Sequence, residues 1–126
     1  MKSIQASPGR GYSVAYNNLG VVLEREGLPD AAERAFITSI KIDDYRLAHA
    51  NLGRIFLKRE KIDAAVKALQ NASKRHTRDP GIHFYLGVGY YKKGQKDRAL
   101  KTFQYVDRLH PNFNNVRRII RAIPAK

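Results

Sequence analysis

Apolar residues recur along this chain at the three- and four-residue spacing of a buried helical face, and the faces come in pairs. Val14, Leu19, Val22 and Leu23 make the first stripe, closed by Gly27. Leu28-Pro29-Asp30 turns the chain, with Pro29 suited to the first turn of a helix, and Ala31, Ala32, Ala35, Phe36 and Ile40 form a second stripe. The pairing returns over about 46–58 with 62–75, and again over about 80–92 with 96–109. Asp79-Pro80 reads as a helix start, because Asp accepts from free amides and Pro fits the first helical position. Beyond Pro111, the residues Val116, Ile119, Ile120 and Ile123 alternate with Arg117, Arg118 and Arg121 in a last amphipathic segment, ended by Pro124. The pattern predicts seven helices and no strand.

The pairs are copies of one another. Tyr16-Asn17-Asn18-Leu19-Gly20, His49-Ala50-Asn51-Leu52-Gly53 and His83-Phe84-Tyr85-Leu86-Gly87 align, and their glycines step by 33 and then 34 residues. Leu23, Phe56 and Tyr90 follow at one equivalent position, then Ala32, Ala65 and Ala99, then Phe36, Leu69 and Phe103. A period of this length means stacked units, none of which buries its apolar face alone. The spaced positions resemble the tetratricopeptide repeat (TPR) family over about Ser13 to Phe113. The late proline of that family stands only in the third copy, as Pro111, while Pro80 follows the second and the first has none.

The resemblance implies an all-α fold, a right-handed α-solenoid of three helix-turn-helix repeats plus a capping helix. Its expected divisions are a flexible lead-in at 1–12, repeats at 13–45, 46–79 and 80–113, and a capping helix at 114–123. Gly20, Gly53 and Gly87 fall mid-helix, where glycine costs about 1 kcal/mol relative to alanine and is tolerated where another helix comes close. These positions and the alanines are therefore read as fold residues.

Function must come from the residues that remain. In the TPR family one face of the first helix of each repeat lines a concave groove. On this chain the matching positions include Asn17, Asn18, Val21 and Arg25, then Leu47, Asn51, Arg54 and Lys58, then Phe84, Tyr85, Val88, Tyr91 and Lys92. Apolar and aromatic surface with cationic rims suits a peptide or helix of another protein that carries an acidic or amphipathic segment. Arg54 is expected to grip a carboxylate with two prongs, Lys58 and Lys92 to act as point charges, and Asn18 and Asn51 to meet a ligand's backbone. Members that hold the acidic tails of heat-shock chaperones use a five-residue clamp of Lys, Asn, Asn, Lys and Arg. The matching positions here are Asn17, Val21, Asn51, Gly81 and Tyr85, and Asn51 alone fits. The first helix has no cap of its own, so self-association through Val14, Val22 and Leu23 is a further expectation.

Charge adds a rival. The 126 residues carry a formal net charge of +13, distributed as −1 over 1–45, +6 over 46–79 and +8 over 80–126. Lys67, Lys74, Arg75, Arg78, Lys101, Arg117, Arg118 and Arg121 lie off the groove, with Lys67, Lys74 and Arg78 expected near one outer stripe. Such a field attracts nucleic acid or an anionic surface. The aromatic residues do not interleave with it, and no recognition-helix, RNP or zinc-finger pattern is present, so the groove reading comes first.

His49 and His83 occupy the position filled by Tyr16 in the first repeat and are read as packing residues, with no acidic partner evident. No metal or cofactor is implied. No phosphate loop, nucleophile elbow or paired carboxylates occur, so an enzyme is not expected. There are no cysteines and no run of eighteen apolar residues, and the default location is cytoplasmic.

Overall fold

The structure, a computed structural model, describes residues 8–124. Among the described residues seven α-helices follow one another: α1 Pro8–Arg25, α2 Pro29–Asp43, α3 Arg46–Lys58, α4 Ile62–Arg75, α5 Pro80–Lys92, α6 Lys96–Leu109 and, after a 3-10 turn at Phe113–Asn115, α7 Val116–Ala122. There is no strand among the described residues. The pairs α1/α2, α3/α4 and α5/α6 stack as a right-handed α-solenoid, with α7 laid against α6.

One boundary differs from the expectation. Residues 8–12, taken as flexible lead-in, are the first turn and more of α1. They are held because Arg10 Nε bonds Asp43 Oδ2 at 2.8 Å, and because Ser13 and Ser39, both fully buried, each donate to the other's backbone carbonyl, at 2.9 and 2.6 Å. The rest of that lead-in, residues 1–7, lies outside the described residues.

Each repeat is locked by the same device. A methyl built on Gly20 would stand 2.5 Å from the Phe36 ring, one on Gly53 2.5 Å from Leu69, and one on Gly87 2.8 Å from Phe103. A bare backbone on the first helix thus receives a large buried side chain of the second. Ala32, Ala65 and Ala99, each wholly buried, let the backbones approach. Buried Val116 and Ile123 of the C-terminal segment join the core that contains Phe103, which is how the last repeat is covered.

The turn inside each repeat also has one geometry. Leu28, Lys61 and Gln95 each donate an amide to the carbonyl five residues back, closing the helix with a left-handed residue just before it. That residue is Gly27 (φ 78°), Gly94 (φ 82°) and, in the second repeat, Glu60 (φ 61°). A side chain there is strained, whereas glycine is not. Glu60→Gly is therefore expected to stabilise the fold by about 0.5–1 kcal/mol, after glycine's extra chain entropy is subtracted, as read by urea unfolding.

Candidate functional site

The inner faces of α1, α3 and α5 carry two unlike surfaces. The first is a polar network. Asn51 Nδ2 donates to Asn17 Oδ1 at 2.9 Å, and Arg54 sends two bonds of 2.6 Å into the carboxylate of Glu24. Arg54 also reaches Asn51 Oδ1 at 3.3 Å, and Lys58 Nζ lies 3.2 Å from Glu24 Oε2. The Arg54 bonds hold the Glu24 carboxyl below the usual carboxylate range against the opposing effect of burial. Burial pushes the half-buried Tyr85 hydroxyl up, and the neighbouring Arg54 charge pulls it back.

This network revises three expectations. Arg54 is not free to grip a partner's carboxylate, because Glu24 of the preceding repeat already fills its fork. Asn51 bonds Asn17, which is buried, and not its repeat equivalent Asn18, which is exposed outside the network. Phe84 is a core residue, 8% exposed, with its ring 5.7 and 5.8 Å from those of Phe103 and Phe113.

The second surface is apolar. Leu47 and Tyr91 are 40% and 44% exposed, large for such side chains. Beside Tyr91 a cleft of about 250 Å³ opens, walled by Val88 and Tyr91 of α5, Phe103 of α6, and Ile119, Ala122 and Ile123 from α7 and its end. Val21 is half-buried, and Arg25, Lys58 and Lys92 reach solvent. Lys92 has a distant contact with Glu60 at 4.0 Å. The walls contributed by α7 were not foreseen. The stripe of isoleucines was legible as a cap, but its bearing on the groove depends on how the helix packs.

On the exterior, Lys67, Lys74, Arg78, Lys101, Arg118 and Arg121 are exposed and make no ion pair among the described residues. Arg75 and Arg117 are spent on Asp44 and Asp107. Helix α4 ends at Arg75, so the expected stripe stops at Lys74, and Arg78 stands in the following turn.

His49 is buried, as its place in the repeat implied, but an acidic partner does meet it. Its Nε2 lies 2.6 Å from Asp44 Oδ1, and His76 Nε2 lies 3.1 Å from Asp44 Oδ2. Their donor atoms fall within 4.8 Å of one another, the spacing of a potential cation site. Arg75 already supplies the positive charge, chelating Asp44 at 2.9 and 3.0 Å, so the set is read as a junction between α2, α3 and α4. The Arg75 contact holds the Asp44 carboxyl well below the usual range. His83 instead bonds the Thr77 carbonyl at 2.9 Å and packs edge-on to Tyr105.

Burial lowers the His49 pKa below its ordinary 6.5, and the Asp44 bond only partly offsets this. The unfolded chain then takes up the proton more readily, so this contribution is whole above pH 6.5 and falls as pH drops below it. Thermal unfolding is expected to show declining stability from pH 7 to 5, and His49→Phe is expected to flatten that slope.

Stacked helix pairs, a small-on-large lock in every repeat and a covering helix define a helical repeat scaffold. Tetratricopeptide repeat profiles match residues 13–45 and 50–112, and the chain belongs to the tetratricopeptide repeat family. A comparison with curated protein sequences gives no match. Among solved structures, the first TPR of Spaghetti (RPAP3) bound to the HSP90 peptide SRMEEVD superposes with a TM-score of 0.85. It is 16% identical, over 90% of this chain and 94% of that one. The first TPR domain of human RPAP3 gives 0.82 at 17% identity, over 89% of each chain. MamA gives 0.74 at 24% identity, over 86% of this chain and 64% of that one. At these identities the likeness is one of fold. Membership makes this chain a scaffold for protein–protein interaction, and no described helix is long and apolar enough to cross a membrane.

Proposed function

We propose that this chain is a non-catalytic adaptor that recruits a partner protein by holding a peptide or helix of it in the concave groove. The observation that carries this reading is the exposure of Tyr91 at the wall of an open apolar cleft, together with exposed Leu47 on α3 and the exposed amines of Lys58 and Lys92 at the ends of α3 and α5. Isolated exposed apolar residues are ordinary, but a concave set rimmed by cations marks a binding surface. A heat-shock tail of the kind bound by the Spaghetti domain fits poorly. Of the five clamp positions only Asn51 offers the required group, and its amide is already bonded to Asn17.

The test is a pull-down from native lysate with wild type, Tyr91→Ser/Lys92→Glu and an exterior variant, Lys67→Glu/Lys74→Glu. A discrete protein lost only with the groove variant supports recruitment. The six exposed, unpaired exterior cations favour a second reading, docking of nucleic acid or an anionic surface. That reading predicts retention by the groove variant, loss with the exterior variant, and steep release by salt.

Self-association through α1 has support of its own. Tyr16, Leu19 and Val22 are 38%, 44% and 49% exposed, whereas Leu52 and Ile55, at the same repeat positions as Leu19 and Val22, are buried against the preceding repeat. A second copy would cover that stripe. Sedimentation equilibrium showing a monomer at high protein concentration would sink this part of the proposal.

A further inference from the structure

We propose that the cleft between α5 and α7 is an anchor pocket for one branched aliphatic side chain of the partner, flanked by acidic residues; this rests on the groove reading above. Its six wall residues, Val88, Tyr91, Phe103, Ile119, Ala122 and Ile123, offer almost nothing polar. An acidic or amide side chain would lose its hydrogen bonds to water there without replacement. A volume of about 250 Å³ is below the roughly 300–1,000 Å³ usual for small-molecule sites, so the pocket suits a single side chain. Leucine or isoleucine fits that chemistry.

Charge supplies the rest of the occupant. In sequence, Lys92 directly follows the wall residue Tyr91 on α5, and Arg118 directly precedes the wall residue Ile119 on α7. Lys92 is 41% exposed, with Glu60 at the outer limit of an ion pair, and Arg118 is exposed with no ion pair among the described residues. No described acidic residue chelates either one as Glu24 chelates Arg54. The Glu24–Arg54 pair thereby also assigns direction: the end of the groove near α1 is satisfied internally, and the end near α7 keeps its cations and its empty apolar space. A partner segment with the order acidic–aliphatic–acidic is complementary to that end.

The experiment uses the full chain with methyl-labelled Ile, Leu and Val. The probes are an acidic peptide of Glu and Asp with one central Leu, and the same peptide with Ser at the centre. The expected result is movement of the Val88, Ile119 and Ile123 methyl signals by the Leu peptide, with affinity about 10- to 100-fold above that of the Ser peptide, the span a buried aliphatic side chain commands. Ala122→Phe, at an exposed position on the wall, should plug the pocket and abolish the Leu preference while the melting curve is retained. Lys92→Glu should weaken the Leu peptide and make its binding less sensitive to salt. Equal binding of both peptides, with shifts confined to the methyls of Val21 and Leu47, overturns the pocket and leaves the groove reading standing. Unchanged Leu preference in Ala122→Phe also overturns it. Absence of any shift overturns the pocket and its acidic–aliphatic ligand, and the pull-down above then decides the groove independently.

Discussion

Replacing Phe103 by alanine is expected to lower the free energy of unfolding by about 3–5 kcal/mol. Phe103 is 2% exposed, its ring lies against the bare backbone of Gly87, and Phe84 meets it at 5.7 Å between centroids. The loss has two parts, the transfer of a large ring to water and the void left where the glycine cannot fill in. Marginal stability of about 5–15 kcal/mol makes this a large fraction of the whole. Chemical denaturation checks it by a drop in midpoint. A change below about 1 kcal/mol would mean that α5 and α6 collapse together and that the repeat lock is looser than its geometry. The reverse substitution, Gly87→Ala, tests the same contact from the other side. Helix propensity predicts a gain of about 1 kcal/mol, while a methyl 2.8 Å from the ring predicts a loss.

The second large effect is at Arg54. Arg54→Glu is expected to destabilise the fold by about 2–4 kcal/mol, because it leaves two carboxylates facing each other where two bonds of 2.6 Å stood. The pair is partly buried, Arg54 at 28% and Glu24 at 13% side-chain exposure, so water screens the repulsion only in part. The charge-swapped double variant Glu24→Arg/Arg54→Glu should recover much of the loss, and a double-mutant cycle measures the coupling. A coupling near zero would show that the pair is dispensable. For binding work the consequence is practical: a partner lost on Arg54→Glu is as readily lost through damage to α1 and α3, and Tyr91 and Lys92 are cleaner sites to change.

The fold was legible because it is written in single-residue periodicities. The spacing of Gly20, Gly53 and Gly87 gave the repeat, and four of the helices, α3 to α6, begin and end at the residues read from pattern and punctuation. The start of α1 was not legible. Ser7-Pro8-Gly9-Arg10-Gly11 is poor in helix formers, and only the distant partners Asp43 and Ser39 make it helical. The groove was half legible. Repeat position placed Asn17 on α1, Asn51 and Arg54 on α3 and Tyr91 on α5, where they stand, but position cannot say which side chains satisfy one another. Glu24 and Arg54 are 30 residues apart, which brings them level across adjacent repeats, and opposite charges at that offset were the available signal. Asp44 was hidden for another reason. It reaches His49 from the left-handed residue that ends α2, a backbone conformation that no helical periodicity reports.

The division of the apolar interior has a dynamic consequence. Thirteen buried residues form one cluster running from Ala50 to Ile123, while four, Ala32, Phe36, Leu52 and Ile55, form a separate one under α1 and α2. In a one-dimensional stack a terminal unit is held by one neighbour only, so opening starts at the end with the smaller buried apolar cluster. Amides of α1 and α2 should therefore exchange with solvent deuterium before those of α5 and α6, and the molecule should unzip from its first repeat while the half that carries the cleft is still closed.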